Sequence, residues 1–470
     1  MPQTVFDRKP ANEQAAAQSW TNAREESFWL ADVGPIPSQD GPRWDRSQTA
    51  DLVVVGGGFT GLWTAIRATE RYPDWTVLVL SMDATLGQRA SGQNGGFLEA
   101  SLTHGRLNGE TRFPREIDLL DDMGRANLDE IAQTVERYGW ECDFERPGTL
   151  TVATEPHQIE WLEGDNVLND VEVRRVLNSP TFLAGAIERG ESAMVHPGKL
   201  VREMARTARE RGVRFEQATV TKVRPRPDVL DIQVADGLPY RGRRVALGTN
   251  VFPSVLRRYR WHVVPVYDHV LMTEPLTDEQ WAAIGWNGRE GVSDMGNQFH
   301  YYRRTMDGRI LWGGYDAAYT PGADPDRTRF ANNPAVFQLL AEHFFVTFPQ
   351  LEGVRFTHRW SGAIDTCSRF SVFFGRAYRD RVAYAAGYTG LGVAATRFAA
   401  DTMLDMVAGE STERTVLSMV RSMPIPFPPE PLRYPLISIV KWSMRRADRN
   451  GGKRNLLLRT LDALGLGFDS

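Results

Sequence analysis

The stretch Leu52-Val53-Val54-Val55-Gly56-Gly57-Gly58-Phe59-Thr60-Gly61-Leu62 decides the fold class of this chain. Asp51 to Val55 reads as a buried parallel strand, and Leu62-Trp63-Thr64-Ala65-Ile66-Arg67-Ala68 reads as the helix that follows. Between them stands G-x-G-x-x-G, and strand, glycine turn and helix together are the pattern that holds a dinucleotide. Gly56 permits the tight turn, Gly58 lets the backbone approach a pyrophosphate, and Gly61 lets helix and strand pack closely. Phe59 and Thr60 open the helix, whose exposed N–H groups receive the phosphates.

Working outward, Trp75-Thr76-Val77-Leu78-Val79-Leu80 reads as a second buried strand. Sites of this type usually place an acidic residue at the end of that strand to hold ribose hydroxyls. Here the position carries Ser81 and then Met82, with Asp83 just beyond. That departure touches the ribose contacts and leaves the phosphate site intact. The next stretch, Gly87-Gln88-Arg89-Ala90-Ser91-Gly92-Gln93-Asn94-Gly95-Gly96-Phe97, predicts a loop whose backbone can lie against something flat.

With 470 residues the chain is too long for one simple core, and two domains are expected. A net charge of −4 gives no support to nucleic-acid binding. Only Cys142 and Cys367 occur, far apart, so neither a disulfide framework nor a metal site is expected. The opening residues lack the apolar core of a secretory signal, and no apolar run approaches the roughly 20 residues that span a bilayer. A cytoplasmic location is the resulting expectation.

Residues 1–48 are polar, carry Pro35, Pro37 and Pro42, and read as a surface arm. Residues 114–145 have a helical pattern and Gly148 to Ala153 a strand pattern. Leu200 to Gly212 reads as a charged helix, Val213 to Val223 as a strand and Arg244 to Asn250 as a buried strand. Alternating strands follow over Val263–Thr273 and Gln298–Gly314, then a helix near 334–348. Val382-Ala383-Tyr384-Ala385-Ala386-Gly387-Tyr388-Thr389-Gly390-Leu391-Gly392 is a further strand and glycine turn, leading into a helix through Met406.

In order and spacing, these stretches resemble the FAD-dependent glycine/D-amino-acid oxidase-like (DAO) family across nearly the whole chain. The matching pieces include Ala90-Ser91-Gly92-Gln93-Asn94-Gly95-Gly96, Val195-His196-Pro197-Gly198-Lys199, Thr273-Glu274-Pro275-Leu276, Asp307-Gly308-Arg309-Ile310-Leu311-Trp312-Gly313-Gly314 and Gly387-Tyr388-Thr389-Gly390-Leu391-Gly392. Within the family the chain is similar to the γ-glutamylputrescine oxidase-like branch, and Gly61-Leu62-Trp63 and Cys142-Asp143-Phe144 also resemble aminophosphonate oxidoreductases. The resemblance implies an α/β fold: a discontinuous FAD-binding Rossmann-like domain of the glutathione-reductase type (49–105, 190–255 and 357–410). It is capped by an α+β substrate domain on a large mixed sheet (106–189 and 256–356), with an accessory tail at 411–470.

The implied activity is oxidation of a primary or secondary amine to an imine that water hydrolyses to an aldehyde or keto product. The substrate would be an amino acid, polyamine derivative or aminoalkylphosphonate, with oxygen or another acceptor taking the electrons. The cofactor carries that chemistry and the protein supplies orientation and electrostatics. Arg89, Ala90, Ser91, Gly92, Asn94, Gly95 and Gly96 are expected beside the flavin, and Val220 and Thr249 elsewhere along the FAD. Gly390, Leu391 and Gly392, after Gly387, would aim backbone N–H groups at its anionic edge. Gly362 stands where sarcosine oxidases carry the flavin on a cysteine, so non-covalent FAD is expected, with Cys367 an ordinary small residue.

For the substrate, the cap strands offer Tyr267 with His269, and Tyr301 with Arg303, because alternate strand positions share a face. Trp360, Arg369 and Tyr388 are candidates to complete the pocket, and His300 is a candidate base. Alignment through Ile310–Gly314 places Trp312 where sarcosine oxidases carry a lysine facing the flavin, and a neutral indole there predicts slow reoxidation by oxygen. A nicotinamide dehydrogenase would share only the first fingerprint; a non-catalytic flavoprotein would share both, and bleaching by an amine would tell it from an enzyme. In the tail, seven Lys or Arg residues between Lys441 and Arg459 face only Asp448, which predicts a helix packed back on the body or, alternatively, a contact with a membrane or acidic partner.

Overall fold

The computed structural model describes residues 3–39, 41–162, 166–252, 254–315, 317–319 and 332–463. The last seven residues of the expected tail lie outside the described residues. The run Leu52–Val55 forms the strand Thr49–Val55, buried on both faces, and it pairs in parallel with Tyr240–Leu247 on one side and Val77–Ser81 on the other. Continuous apolar strands of this kind need helices on both faces or an equivalent cover. Helices Phe59–Arg71 and Gly392–Ala408 supply one cover, burying Leu62, Trp63, Ile66, Phe398 and Met403 together. The eight-stranded sheet runs from Phe373–Ala377 through Val382–Ala386, Tyr240–Leu247, Thr49–Val55 and Val77–Ser81 to Arg214–Gln217, with Val220–Pro225 and Leu230–Val234 hanging from Tyr240–Leu247.

A second eight-stranded sheet runs in the order Phe356–Thr366, Val264–Thr273, Ile310–Gly314, His300–Arg304, Gly291–Asp294, Thr149–Ala153, Ala184–Glu188 and Val167–Leu168. One pair, Gly291–Asp294 with Thr149–Ala153, is parallel and the others are antiparallel. The helix Pro334–Thr347 covers its back, where Phe337 and Phe344 pack on Leu271, Tyr302 and Trp312. The expected boundary at residue 357 is corrected here. Phe356–Thr366 pairs along its length with Val264–Thr273, so the chain returns to the first sheet only at Phe373.

The N-terminal arm is not a surface segment. Trp29 is 1% exposed, and Phe28 and Trp29 pack with Val270, Met272, Leu311 and Trp360. Arg24 adds backbone hydrogen bonds to the edge of the second sheet, donating to Thr357 O and accepting from Arg359 N, both at 2.9 Å. The prolines follow the end of helix Phe28–Val33 without keeping the segment in solvent, because Trp20, Phe28, Trp29 and Trp44 on either side of them bury enough apolar surface to hold it down.

Candidate active site

One cavity of about 1760 Å³ separates the carboxyl ends of the first-sheet strands from the front of the second sheet. That volume exceeds the roughly 300–1,000 Å³ of an ordinary small-ligand pocket, so it accommodates a dinucleotide and a substrate side by side. Gly56, Gly57, Gly58, Phe59 and Thr60 line it on one side, and Gly390, Leu391 and Gly392 on the other, so two helix N-termini open into the same space. Gly56 has φ +123°, and a Cβ there would meet Gly248 O at 2.3 Å. At Gly61 a Cβ would lie 1.8 Å from Gly56 O, which makes this glycine a helix–strand contact that does not line the cavity. Tyr388, 4% exposed, ties the two turns together through its hydroxyl, 3.0 Å from Thr60 Oγ1.

The 87–97 segment coils into the short helix Ala90–Gln93 and lies across the front of the second sheet. Arg89, Ala90, Ser91, Asn94 and Gly95 line the cavity, as do Ser81, Met82, Val220, Thr249 and Gly362. The acidic residue expected at the strand end is present in another form: Asp83 also lines the cavity and accepts two hydrogen bonds from Arg89, at 2.9 and 2.7 Å. Gly92, Gly96 and Gly387 do not line it. Close packing explains them, since a Cβ would meet Leu30 at 2.5 Å, Val195 O at 2.3 Å and Cys367 at 2.9 Å, respectively. Cys367 is buried and its thiol donates to Ser371 O and Gly387 O.

The substrate candidates divide by strand face. Tyr301 lines the cavity; Tyr267 and His269 point the other way, because successive residues of Val264–Thr273 alternate between faces. His269 packs edge-on against Phe337 at 5.2 Å behind the sheet, and burial, aided by the charge of Lys441, pulls its pKa down to about 4. His300 likewise lies behind the sheet, with Nδ1 2.7 Å from Asp294 and Nε2 2.9 Å from His343, so it cannot reach a substrate. Trp312 stands opposite Leu271 and Tyr302 and stacks on His300 at 4.8 Å. The expectation that it faces the flavin fails by one residue of register, and one residue is enough to move a side chain to the other face.

Three other candidates share the front of the molecule without reaching the cavity. Arg303 is buried and donates from one Nη to Gly96 O at 3.0 Å and Val195 O at 2.8 Å, which pins the 87–97 segment. Trp360 donates to Gln93 O at 2.9 Å and supports the same segment. Arg369 is spent on main-chain carbonyls of Val372, Met419 and Ser422. Burial lowers the pKa of both Arg303 and Arg369 to about 10.

The residue between Tyr267 and His269 is the one that sequence reasoning missed. Asp268 lines the cavity directly across from Gly362, and its carboxylate accepts a short hydrogen bond from the Tyr301 hydroxyl. Burial pushes Asp268 up to about 6 against the pull of Tyr301 and the backbone N–H groups of His269 and Gly314. Burial and the neighbouring carboxylate drive the Tyr301 hydroxyl well above its ordinary pKa. Asp365, on the same wall, accepts from Gly387 N at 2.7 Å, and burial raises it to about 7. At the far end Glu99 is raised to about 7 by burial and by Glu188 and Glu191. The period-2 pattern Val266, Asp268, Val270 was the available signal for Asp268.

The tail also reaches the site. Ile425, Phe427, Ile437, Val440, Lys441 and Met444 line the cavity from the helix Arg433–Asp448 and the segment before it. Asp448 fastens this helix by accepting from Asn297 N at 2.9 Å and Asn297 Nδ2 at 2.6 Å. Burial lowers the pKa of Lys441 to about 8. Among the described residues no helix is long and apolar enough to cross a membrane, and no group of three or more potential ligands could hold a metal ion.

Residues 51–406 match a family described as FAD dependent oxidoreductase, DAO. The chain is 29% identical over 412 residues to the gamma-glutamylputrescine oxidoreductase of Escherichia coli K12, covering 81% of this chain and 89% of that one. Among solved structures it resembles glycine oxidase from Geobacillus kaustophilus, with TM-score 0.63 and 18% identity over 80% of this chain and 99% of that one. It also resembles iminodiacetate oxidase from Chelativorans sp. BNC1, with TM-score 0.61 and 18% identity over 77% and 96% of the two chains.

Proposed function

Because the chain belongs to the DAO family of FAD-dependent oxidoreductases, we propose that it oxidises an amine, with the Asp268–Tyr301 pair as the proton acceptor. The substrate class is a primary or secondary amine: an amino acid, a polyamine derivative or an aminoalkylphosphonate. The observation that carries this reading is a cavity with glycine turns of the dinucleotide type on one wall and a buried carboxylate–phenol pair on the other. The 29% identical relative is named for an amine of this class.

Bound FAD supplies a two-electron acceptor for the carbon next to the amine nitrogen. Gly56 to Thr60 would hold its pyrophosphate at the N-terminus of Phe59–Arg71. Gly390 to Gly392 would set the N-terminus of Gly392–Ala408 against the developing negative charge. Gly362 and the fully engaged Cys367 thiol support non-covalent binding, which release of intact FAD by acid or heat would test.

The chain's own contribution is to prepare the amine. An ammonium holds its nitrogen lone pair in an N–H bond and cannot drive electrons toward an acceptor. Asp268 takes that proton: an O–H bond forms on the carboxylate, the N–H bond breaks, and its electron pair stays on nitrogen. A base near pKa 6 is ionised at neutral pH yet closer to the amine than an ordinary aspartate, which eases transfer. Tyr301, donating to the carboxylate, fixes which oxygen is free. An anaerobic screen of amines, amino acids and aminophosphonates for bleaching of the flavin tests the assignment, and a screen with no bleaching refutes it.

A further inference from the structure

The helix Arg433–Asp448 lies wholly outside the family-matched span of 51–406 and has two unlike faces. Ile437, Val440, Lys441 and Met444 turn inward and line the cavity. On the other side Leu432, Ile439 and Trp442 are 65%, 51% and 55% exposed. At about 100° per residue these three and Arg446 fall within an arc of about 80°. An apolar stripe of that size on one helix face is unusual for a surface that meets only water. Arg446 stacks on Trp442 at 5.5 Å and, like Lys453 and Arg459 further along the tail, engages no carboxylate among the described residues, in a chain whose net charge is −4.

We infer that this face is a docking surface for an anionic phospholipid bilayer. A helix with Leu, Ile and Trp along one side and Arg or Lys at its flank lies in the plane of the membrane, with its apolar side chains in the acyl boundary and its cations at the headgroups. The charge argues for lipid over a second copy of this chain, because a two-fold contact through this face would bring the same cations together. The inner face of the helix then puts the cavity wall directly behind the lipid contact. Nothing in this inference depends on which amine is oxidised.

The test uses the full-length holoenzyme, phosphatidylcholine vesicles with and without phosphatidylglycerol, and sedimentation. Binding to the anionic vesicles is expected, with loss at high ionic strength. The pairs Ile439→Glu with Trp442→Glu, and Arg446→Glu with Lys453→Glu, are each expected to weaken binding at least about tenfold (about 1.4 kcal/mol). Flavin content and amine-driven bleaching in vesicle-free solution should stay unchanged, which separates lost docking from lost folding. Equal binding to both vesicle types, or to neither, overturns the inference. So does self-association that the Ile439→Glu, Trp442→Glu pair abolishes while no vesicle binding is seen, since that assigns the face to a second copy.

Discussion

Replacing Asp268 with Asn tests the proton-acceptor assignment, and the size of the effect follows from two pKa values. Asn keeps an oxygen for the Tyr301 hydroxyl, so the pair's geometry survives while the base is lost. An alkyl ammonium titrates near 10.4, so at pH 7.4 about one molecule in 10³ is already neutral. Without the carboxylate only that fraction reacts, and the rate of flavin reduction at pH 7.4 should fall by about 10³. Near pH 10 roughly a third of the substrate enters neutral, and the deficit should shrink to a fewfold. In the wild type the same rate should fall tenfold per unit as pH drops below about 6, where Asp268 takes up its proton, and the variant should lack that limb. Other groups near the reaction bear on the profile. Asp365 titrates near 7 and Lys441 near 8, but His269 lies behind the sheet and stays neutral. Stopped-flow reduction from pH 5 to 10 is the assay. A variant whose loss is the same at every pH, or whose acid limb near 6 persists, would refute the reasoning. Stability gives an independent sign. Asp268 is raised from 3.8 to about 6, so the folded state binds its proton more tightly, and that contribution is present at low pH and lost as pH rises through about 6. The Asn variant should therefore be more stable than wild type at pH 8, by up to about 3 kcal/mol, with the difference vanishing below pH 4.

A Gly58→Val protein should purify without flavin, since the new side chain fills the phosphate approach and its Cβ meets Ser91 Oγ at 2.7 Å; stoichiometric FAD in the purified protein would move the pyrophosphate elsewhere. Trp312→Phe should lower thermal stability by about 1–3 kcal/mol through lost packing on His300 and Phe344, yet leave flavin reoxidation in air within twofold of wild type. An oxygen rate that changes markedly would mean that its face has been misassigned. Arg303→Met should weaken FAD retention by loosening the 87–97 segment, at about 1.5–3 kcal/mol for each charged hydrogen bond lost, without changing the preference between cationic and anionic amines. A selective loss of anionic substrates, seen in steady-state kinetics across an amine panel, would show instead that Arg303 touches the substrate.

The dinucleotide half was legible because its signal is local. A run of apolar residues, glycines at fixed spacing and a helix are read within twenty positions, and Gly56 to Thr60 line the cavity as that reading requires. The cap was legible as strands but not as faces. Period-2 alternation correctly paired Tyr267 with His269 and Tyr301 with Arg303, but alternation gives two sets without saying which one meets the ligand. Only the pairing of Val264–Thr273 between Ile310–Gly314 and Phe356–Thr366 orients Asp268 to the cavity and sends Trp312 to the rear. Arg303 and Arg369 looked like anion-binding residues by type. Their carbonyl partners sit at distant positions such as Val195 and Met419, which no spacing rule anticipates.

The arm failed to read, and the tail read only as a helix packed back on the body, for a further reason: both act through contacts with the family-matched span rather than by any pattern of their own. Ser27 donates to Gly92 O and Trp29 Nε1 donates to Asn94 O at 2.8 Å, so the arm holds the same segment that Arg303 and Trp360 hold from the sheet side. Four donors from three parts of the chain therefore converge on carbonyls between Gly92 and Gly96, a segment that Asn94 also ties from within through Ala90 O, Ser91 O and Gly96 N. The tail completes the opposite wall, where Phe427 N bonds Trp261 O at 2.7 Å and Ser368 Oγ bonds Ile425 O at 2.7 Å. Arg449 of the tail in turn pairs with Asp7 of the arm, joining the two ends across the molecule. The span 51–406 thus furnishes the glycine turns and the Asp268–Tyr301 pair, while residues outside it set how tightly the 92–96 segment is held and complete the lining of the cavity.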